Sequence, residues 1–193
     1  MKATIEKPMI LKAAATLANG GYNGSLLQFE RIGDKMRLCG TNCYVMVLAV
    51  VDARFSRWAD GEGFMLRGPE VQAMMRGISK GIKNAASVTV EAVKGAAVIT
   101  MDVEGAAIST SFKLENAGKL VNLNALEESC KVQSEPGDVL AVASYFMGLA
   151  SNAMRTIGGG KHSAWTFKDH GEARPMEFIS KEEPARVLLM PTR

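Results

Sequence analysis

The side chains most regularly placed for chemistry in this sequence are basic. Arg76, Lys80 and Lys83 stand at i, i+4 and i+7, so on a helix they form one stripe, opposite the apolar face of Val71, Met74, Met75, Ile78 and Ile82. A second helical segment carries Lys12, Thr16 and Asn19 opposite Ile10, Ala13, Ala14 and Leu17. A third sets Tyr145, Gly148, Asn152 and Arg155 opposite Phe146, Ala150, Ala153, Met154 and Ile157, with Lys161 just beyond it. None of these polar faces carries an acid within its central turns; Glu30, Asp52, Glu91, Asp102 and Glu104 fall instead on strand-like or turn segments. Basic stripes without interleaved aromatics favour contact with a phosphate backbone over the reading of bases. The same pattern also fits helix faces kept soluble by lysine. Tyr145 and Phe146, at the start of the third helix, fit a core or rim position better than a base-stacking platform.

Other chemistries find little support. His162 and His170 flank a strand-like run, and with only Cys39, Cys43 and Cys130 elsewhere they do not make a zinc site, so no metal is expected. Three cysteines do not make a closed disulfide framework either. Cys130 follows Glu127 and Glu128, whose charge disfavours a thiolate. Gly158-Gly159-Gly160-Lys161 lacks the upstream glycine of a phosphate loop and follows a helix instead of opening one, so it is expected to stop that helix. The expectation is a non-enzyme without a cofactor.

These helices need strands to hold them. The chain has 193 residues, 47% hydrophobic and 22% charged, with a net charge of +3, which suits a globular protein and is only mildly basic. No apolar run is long enough to cross a bilayer, and the first residues lack the apolar core of a secretory signal, so a cytoplasmic protein without a membrane partner is expected. Along the chain a β-α-β-β-β pattern recurs. The first unit runs through strand 2–7, helix 9–19 and strands 25–32, 35–40 and 44–55. The second has strand 63–67, a helix over 69–83 and strands 87–93, 97–102 and 106–114. The third has strand 138–143, a helix over 145–157 capped by Ser144, and strands 163–169, 174–180 and 185–191. The turns Gly33-Asp34, Lys94-Gly95 and Glu104-Gly105 have hairpin chemistry. The reading is an α+β fold with two units in 1–115, a connector over 116–136 with one extra strand near Cys130–Ser134, and a third unit in 137–193.

Several stretches resemble bacterial DNA sliding clamps. They are the opening helix ILKAAATLAN with the following GDKMRLCGTNCYVMVLAVVDA (33–53), FMLRGPEVQAMMRGISKG (64–81), LVNLNALEES (120–129), VASYFMGLASNAM (142–154) with ARPMEFI (173–179), and the closing ARVLLMPTR (185–193). In that family, antiparallel sheets form the outer wall of a ring and helices line a central hole around duplex DNA. The resemblance therefore implies a reduced processivity factor of the polymerase III beta type. It would hold duplex DNA in replication through Lys12, Arg76, Lys80, Lys83, Arg155 and Lys161. It would also tether a DNA polymerase, and serve a clamp loader, through a peptide groove at Leu189, Met190, Pro191, Thr192 and Arg193. A clamp chain has three domains of two units each, whereas this chain shows three units. A closed ring would then require a homo-oligomer, of four copies, or of three if 116–136 holds a fourth unit. The alternative is an accessory DNA-binding protein that forms no ring.

Overall fold

The computed structural model describes residues 1–18, 25–78, 81–114, 120–125, 128, 144–158, 163–168 and 175–190. The strands expected at 130–134 and 138–143 lie outside the described residues. The first unit is β1 (Lys2–Ile5), α1 (Pro8–Ala18), β2 (Leu26–Ile32), β3 (Lys35–Thr41) and β4 (Val45–Ser56). The second is β5 (Gly63–Arg67), α2 (Gly68–Ile78), β6 (Val88–Val93), β7 (Ala96–Val103) and β8 (Ala106–Lys113). After the connector come α3 (Ser144–Ile157), β9 (Trp165–Lys168), β10 (Met176–Ser180) and β11 (Ala185–Leu189).

The strands join in one sheet of 11, ordered β5-β2-β3-β4-β1-β6-β7-β8, with a branch β11-β10-β9 leaving from β4. Each pairing is antiparallel. Two-residue turns close the hairpins: Lys94-Gly95 and Glu104-Gly105 have positive φ at both positions, the geometry that matches strand twist. The branch arises because β4 is long enough to divide one of its edges. Val45–Ala49 pairs with β11, and Ala53–Ser56 pairs with β1. Where the two partners part, the Val50 N–H donates to the Pro184 carbonyl at 3.0 Å. The opposite edge of β4 is taken by β3 through Met46–Asp52.

The three helices share one apolar core with the sheet. Helix α1 packs against β3 and β4, with α2 on one side and α3 on the other. Its alanines allow a very close approach, because a Cβ at Gly40 of β3 would collide with the Ala14 backbone. The central place of α1 corrects the expectation of a broad polar face. Leu11, Ala15 and Ala18 are buried along with Ile10, Ala13, Ala14 and Leu17, and only Lys12 and Thr16 stay half-exposed on its polar side. Asn19 lies outside the described residues.

The second helix is also shorter than its periodicity predicts. Its described part reaches Ile78, and residues 81–84 form a turn, with Ile82 N–H donating to the Ile78 carbonyl at 3.0 Å and Ala85 N–H to the Ile82 carbonyl at 3.4 Å. Two glycines weaken the helix here, and both lie against the sheet. A Cβ on Gly77 would press on Thr110, and one on Gly81 would press on Val103. Ile82 is buried, so the turn keeps the inward position that the helical pattern assigned to it.

Strand β3 is covered on both faces. Met36 and Leu38 belong to the helix-side core, while Cys39 packs on the far side with Leu26, Leu48, Met65 and Leu123. Leu123 comes from the connector, which crosses this outer face and is held there by Gln28. The Val121 N–H donates to Gln28 Oε1 at 2.9 Å, and Gln28 Nε2 donates to the Val121 carbonyl at 3.2 Å. Arg37 bonds Glu30 Oε2 at 2.8 Å and Asn124 Oδ1 at 2.6 Å.

Candidate nucleic-acid interface

Four of the six proposed DNA-contacting side chains lie within the described residues, three of them on helices. Arg76 is exposed near the end of α2, and Lys83 is exposed on the turn that follows, not on the helix itself. Arg155 is exposed in the last turn of α3, where a cation favours the helix dipole. Lys12 is half-buried on α1, between the two flanking helices. Lys80 and Lys161 lie outside the described residues. Around these cations the open helix surface is neutral: Gln72 and Ala73 on α2, and Gly148, Ser151 and Asn152 on α3. The one acid on α2, Glu70, sits in its first turn, where it complements the dipole.

The cations differ in whether a carboxylate pairs with them. On the strands and their ends some cations meet carboxylates, Lys2 with Glu91 at 3.5 Å, Lys7 with Glu183 at 3.0 Å, Lys35 with Asp52 at 3.5 Å and Arg54 with Glu6 at 3.4 Å, while Arg31, Arg57, Lys94, Lys113, Lys168 and Lys181 have no carboxylate partner among the described residues. Arg37 with Glu30 and Arg186 with Glu177 complete the set. Among the described residues, no carboxylate pairs with Lys12, Arg76, Lys83 or Arg155. Among the described residues Arg155 bonds the neutral Asn152 Oδ1, at 3.0 Å. A carboxylate partner would have to be displaced before a phosphate could bind; these four need no such exchange.

A second surface forms where the ends of β11 and the start of α3 meet Tyr44. The Met190 N–H donates to the Tyr44 carbonyl at 2.8 Å, and the Tyr44 ring stacks on Phe146 with centroids 4.3 Å apart. Tyr145, 62% exposed, lies edge-on to Phe146 at 5.5 Å. Tyr44, Met147 and Met190 are partly open beside them. Leu189 is fully buried and acts as core under this patch. Pro191, Thr192 and Arg193 lie outside the described residues. Sequence reasoning missed Tyr44, which reads only as the first residue of a strand. The signal was the turn Thr41-Asn42-Cys43 before it, where Asn42 Oδ1 accepts from Tyr44 N–H at 3.0 Å and Cys43 takes a φ of 77°, fixing Tyr44 at the strand entrance.

The two described cysteines differ in exposure. Burial pushes the Cys39 thiol up to about 12, with Arg37 opposing and Glu30 assisting. Cys43 is exposed. Among the described residues no group of His, Cys, Asp and Glu is arranged to hold a metal, and no helix is long and apolar enough to cross a membrane.

The arrangement of antiparallel sheet, helices on one face and a crossing connector has solved counterparts. One is the DNA polymerase sliding clamp from Bacillus subtilis, at a TM-score of 0.64 and 8% identity, over 100% of this chain and 64% of that one. This is the sliding-clamp fold. The Helicobacter pylori beta clamp bound to a DNA ligase peptide matches at 0.63 and 12% identity, over 100% of this chain and 65% of that one. The PCNA2-PCNA3 complex from Sulfolobus tokodaii matches at 0.58 and 9% identity, over 99% of each chain. The chain thus spans just under two thirds of these bacterial clamp chains. No protein-family model matches the sequence, and no curated protein matches it.

Proposed function

We propose that this protein is a reduced sliding clamp that holds duplex DNA against its helix layer and tethers a polymerase. The observation that supports it is that the helix-layer cations Lys12, Arg76, Lys83 and Arg155 all lack carboxylate partners among the described residues, and the open helix positions around them are neutral. Lys80 and Lys161 extend the same surface by sequence. Its role is mechanical, and no residue is assigned a catalytic one.

Retention on DNA tests this reading. The full chain should remain on nicked circular DNA in high salt and leave linear DNA by its ends. Replacing Arg76, Lys83 and Arg155 together by alanine should weaken binding equally across sequences and lower the salt slope by roughly 1 per lost contact. Equal loss from circular and linear DNA as salt rises would instead favour an accessory binder that forms no ring. If the triple variant keeps the original salt slope, the stripe is a solubility face.

The partner groove is proposed at Met190–Arg193, above the buried Leu189, together with Tyr44, Tyr145 and Phe146. Its support is the open aromatic patch beside Met190, of the kind that accepts apolar anchors. Removing Pro191–Arg193 should leave the fold intact and abolish binding of a polymerase-derived peptide. Unchanged peptide affinity would place the groove elsewhere.

A further inference from the structure

A cleft on the sheet face away from the helices carries more cations than its acid can pair. It lies across the start of β1, between the end of β4 and the β6–β7 turn, and has a volume of about 570 Å³. Lys2, Ser56 and Glu91 form one row of the β4-β1-β6 ladder. Their neighbours Ala3 and Val90 are buried in the core under the helices, so by alternation this row faces the other way. Arg57, just past β4, and Lys94, in the hairpin turn after β6, line the two sides, and the exposed Val93 adds an apolar wall. Glu91 is the one acid of the lining among the described residues, and it pairs with Lys2 at 3.5 Å. Arg57 and Lys94 have no carboxylate partner among the described residues. Both hold left-handed backbone, with φ of 54° and 47°. That region favours glycine or asparagine, and the next hairpin has Glu104 in the place of Lys94, with a φ of 53°. Backbone geometry thus does not account for two cations here.

We propose that this cleft binds a polyphosphate group, carried by a nucleotide or present as inorganic triphosphate. Lys2, Arg57 and Lys94 on one small cavity match a multiply charged anion. The guanidinium offers a planar fork to phosphate oxygens, the ammonium groups act as point charges, and the Ser56 hydroxyl can donate beside them. The volume falls within the range of small-molecule sites. A duplex held on the helix layer lies across the sheet from this cleft, so the site is separate from that surface. Val93 bears on the source of the phosphate. It offers apolar contact to the base or sugar of a nucleotide and nothing to the inorganic ion.

Calorimetric titration of the untagged full chain, without divalent metal, tests this with inorganic triphosphate and with a nucleoside triphosphate. Binding should saturate at one anion per chain with a Kd below about 1 mM. Tighter binding of the nucleotide assigns it as the source; equal or weaker binding assigns the inorganic ion. Arg57→Asn and Lys94→Asn suit left-handed backbone, so both variants should fold with an unchanged or higher Tm. Together they should weaken binding roughly tenfold or more. Glu91→Gln removes the opposing charge and releases Lys2, and it should tighten binding. Lys181→Asn removes one exposed cation outside the cleft and should leave affinity unchanged. The double variant should keep its retention on duplex DNA. Titration that does not saturate by about 1 mM overturns the proposal, as does affinity that the double variant keeps. An equal loss with Lys181→Asn also overturns it, because net charge alone would then attract the anion. So does loss of duplex retention in the double variant, which would make the cleft part of the DNA-holding surface.

Discussion

Two cysteines four positions apart live in opposite environments. Cys39 is sealed between β3 and the connector, and its thiol is held up at about 12, whereas Cys43 is exposed on a turn. At pH 8 a thiol reagent should modify Cys43 at once and Cys39 only at the rate of unfolding, which mass spectrometry of the peptides would separate. The same shift has a consequence for stability. The thiol of the unfolded chain loses its proton near 9 and that of the folded chain near 12, so the folded form holds more protons in between. Stability should be intact below pH 9 and fall progressively from there toward pH 12, and Cys39→Ala should flatten that decline. An identical alkaline profile in the variant would show that Cys39 is not its source.

The connector, helical at 123–125, illustrates how a segment outside the sheet is fixed. Its amide and carbonyl at Val121 have one partner residue, the fully buried Gln28. Gln28→Ala leaves both groups unsatisfied and should cost about 1–3 kcal/mol. Hydrogen exchange should quicken at 120–125 before it does in the sheet. Equal protection in the variant would mean that Leu123 packing alone holds the segment. Little of this was legible beforehand. Strand positions in the first two units follow from alternation and turn chemistry, both local, and β5 at Gly63–Arg67 matches its sequence range residue for residue. The connector was read as polar and irregular, although Leu120, Val121 and Leu123 were the signal that it packs. Gln28 and Arg37 were unremarkable as outward strand residues, because what buries them arrives from ninety residues away. The basic stripe suffered similarly. Periodicity carried α2 through Lys83, but Gly77 and Gly81 were selected by contacts with β7 and β8 that no local pattern reports.

At the scale of the whole molecule, repetition was visible and its joints were not. Three recurring units suggest three similar bodies, yet the sheet is continuous because one strand serves two partners. Alternation along β4 cannot show that its edge is divided, since both halves present the same apolar pattern to the core. Charge pairing belongs to this scale too. The strand side mixes paired cations, such as Lys2 and Arg54, with unpaired ones, such as Lys94 and Lys113, whereas the helix-layer cations have no carboxylate pair among the described residues.

The divided edge of β4 also bears on how the protein fails. Residues 45–51, VMVLAVV, carry no charge and no proline, and β11 caps most of this run. If the last unit detaches, those backbone groups are bared along one of the most apolar stretches of the chain, a profile that seeds intermolecular stacking. A chain truncated after residue 115 should consequently retain its first two units but precipitate or bind thioflavin on warming, while the full chain stays clear. Substituting Val50, which is half-buried and sits where the two partners diverge, with lysine should suppress that aggregation in the truncated form. A truncated chain that remains clear and dye-negative would show that β1 and β3 suffice to guard the run. In that sense the third unit acts as an intramolecular chaperone for the first.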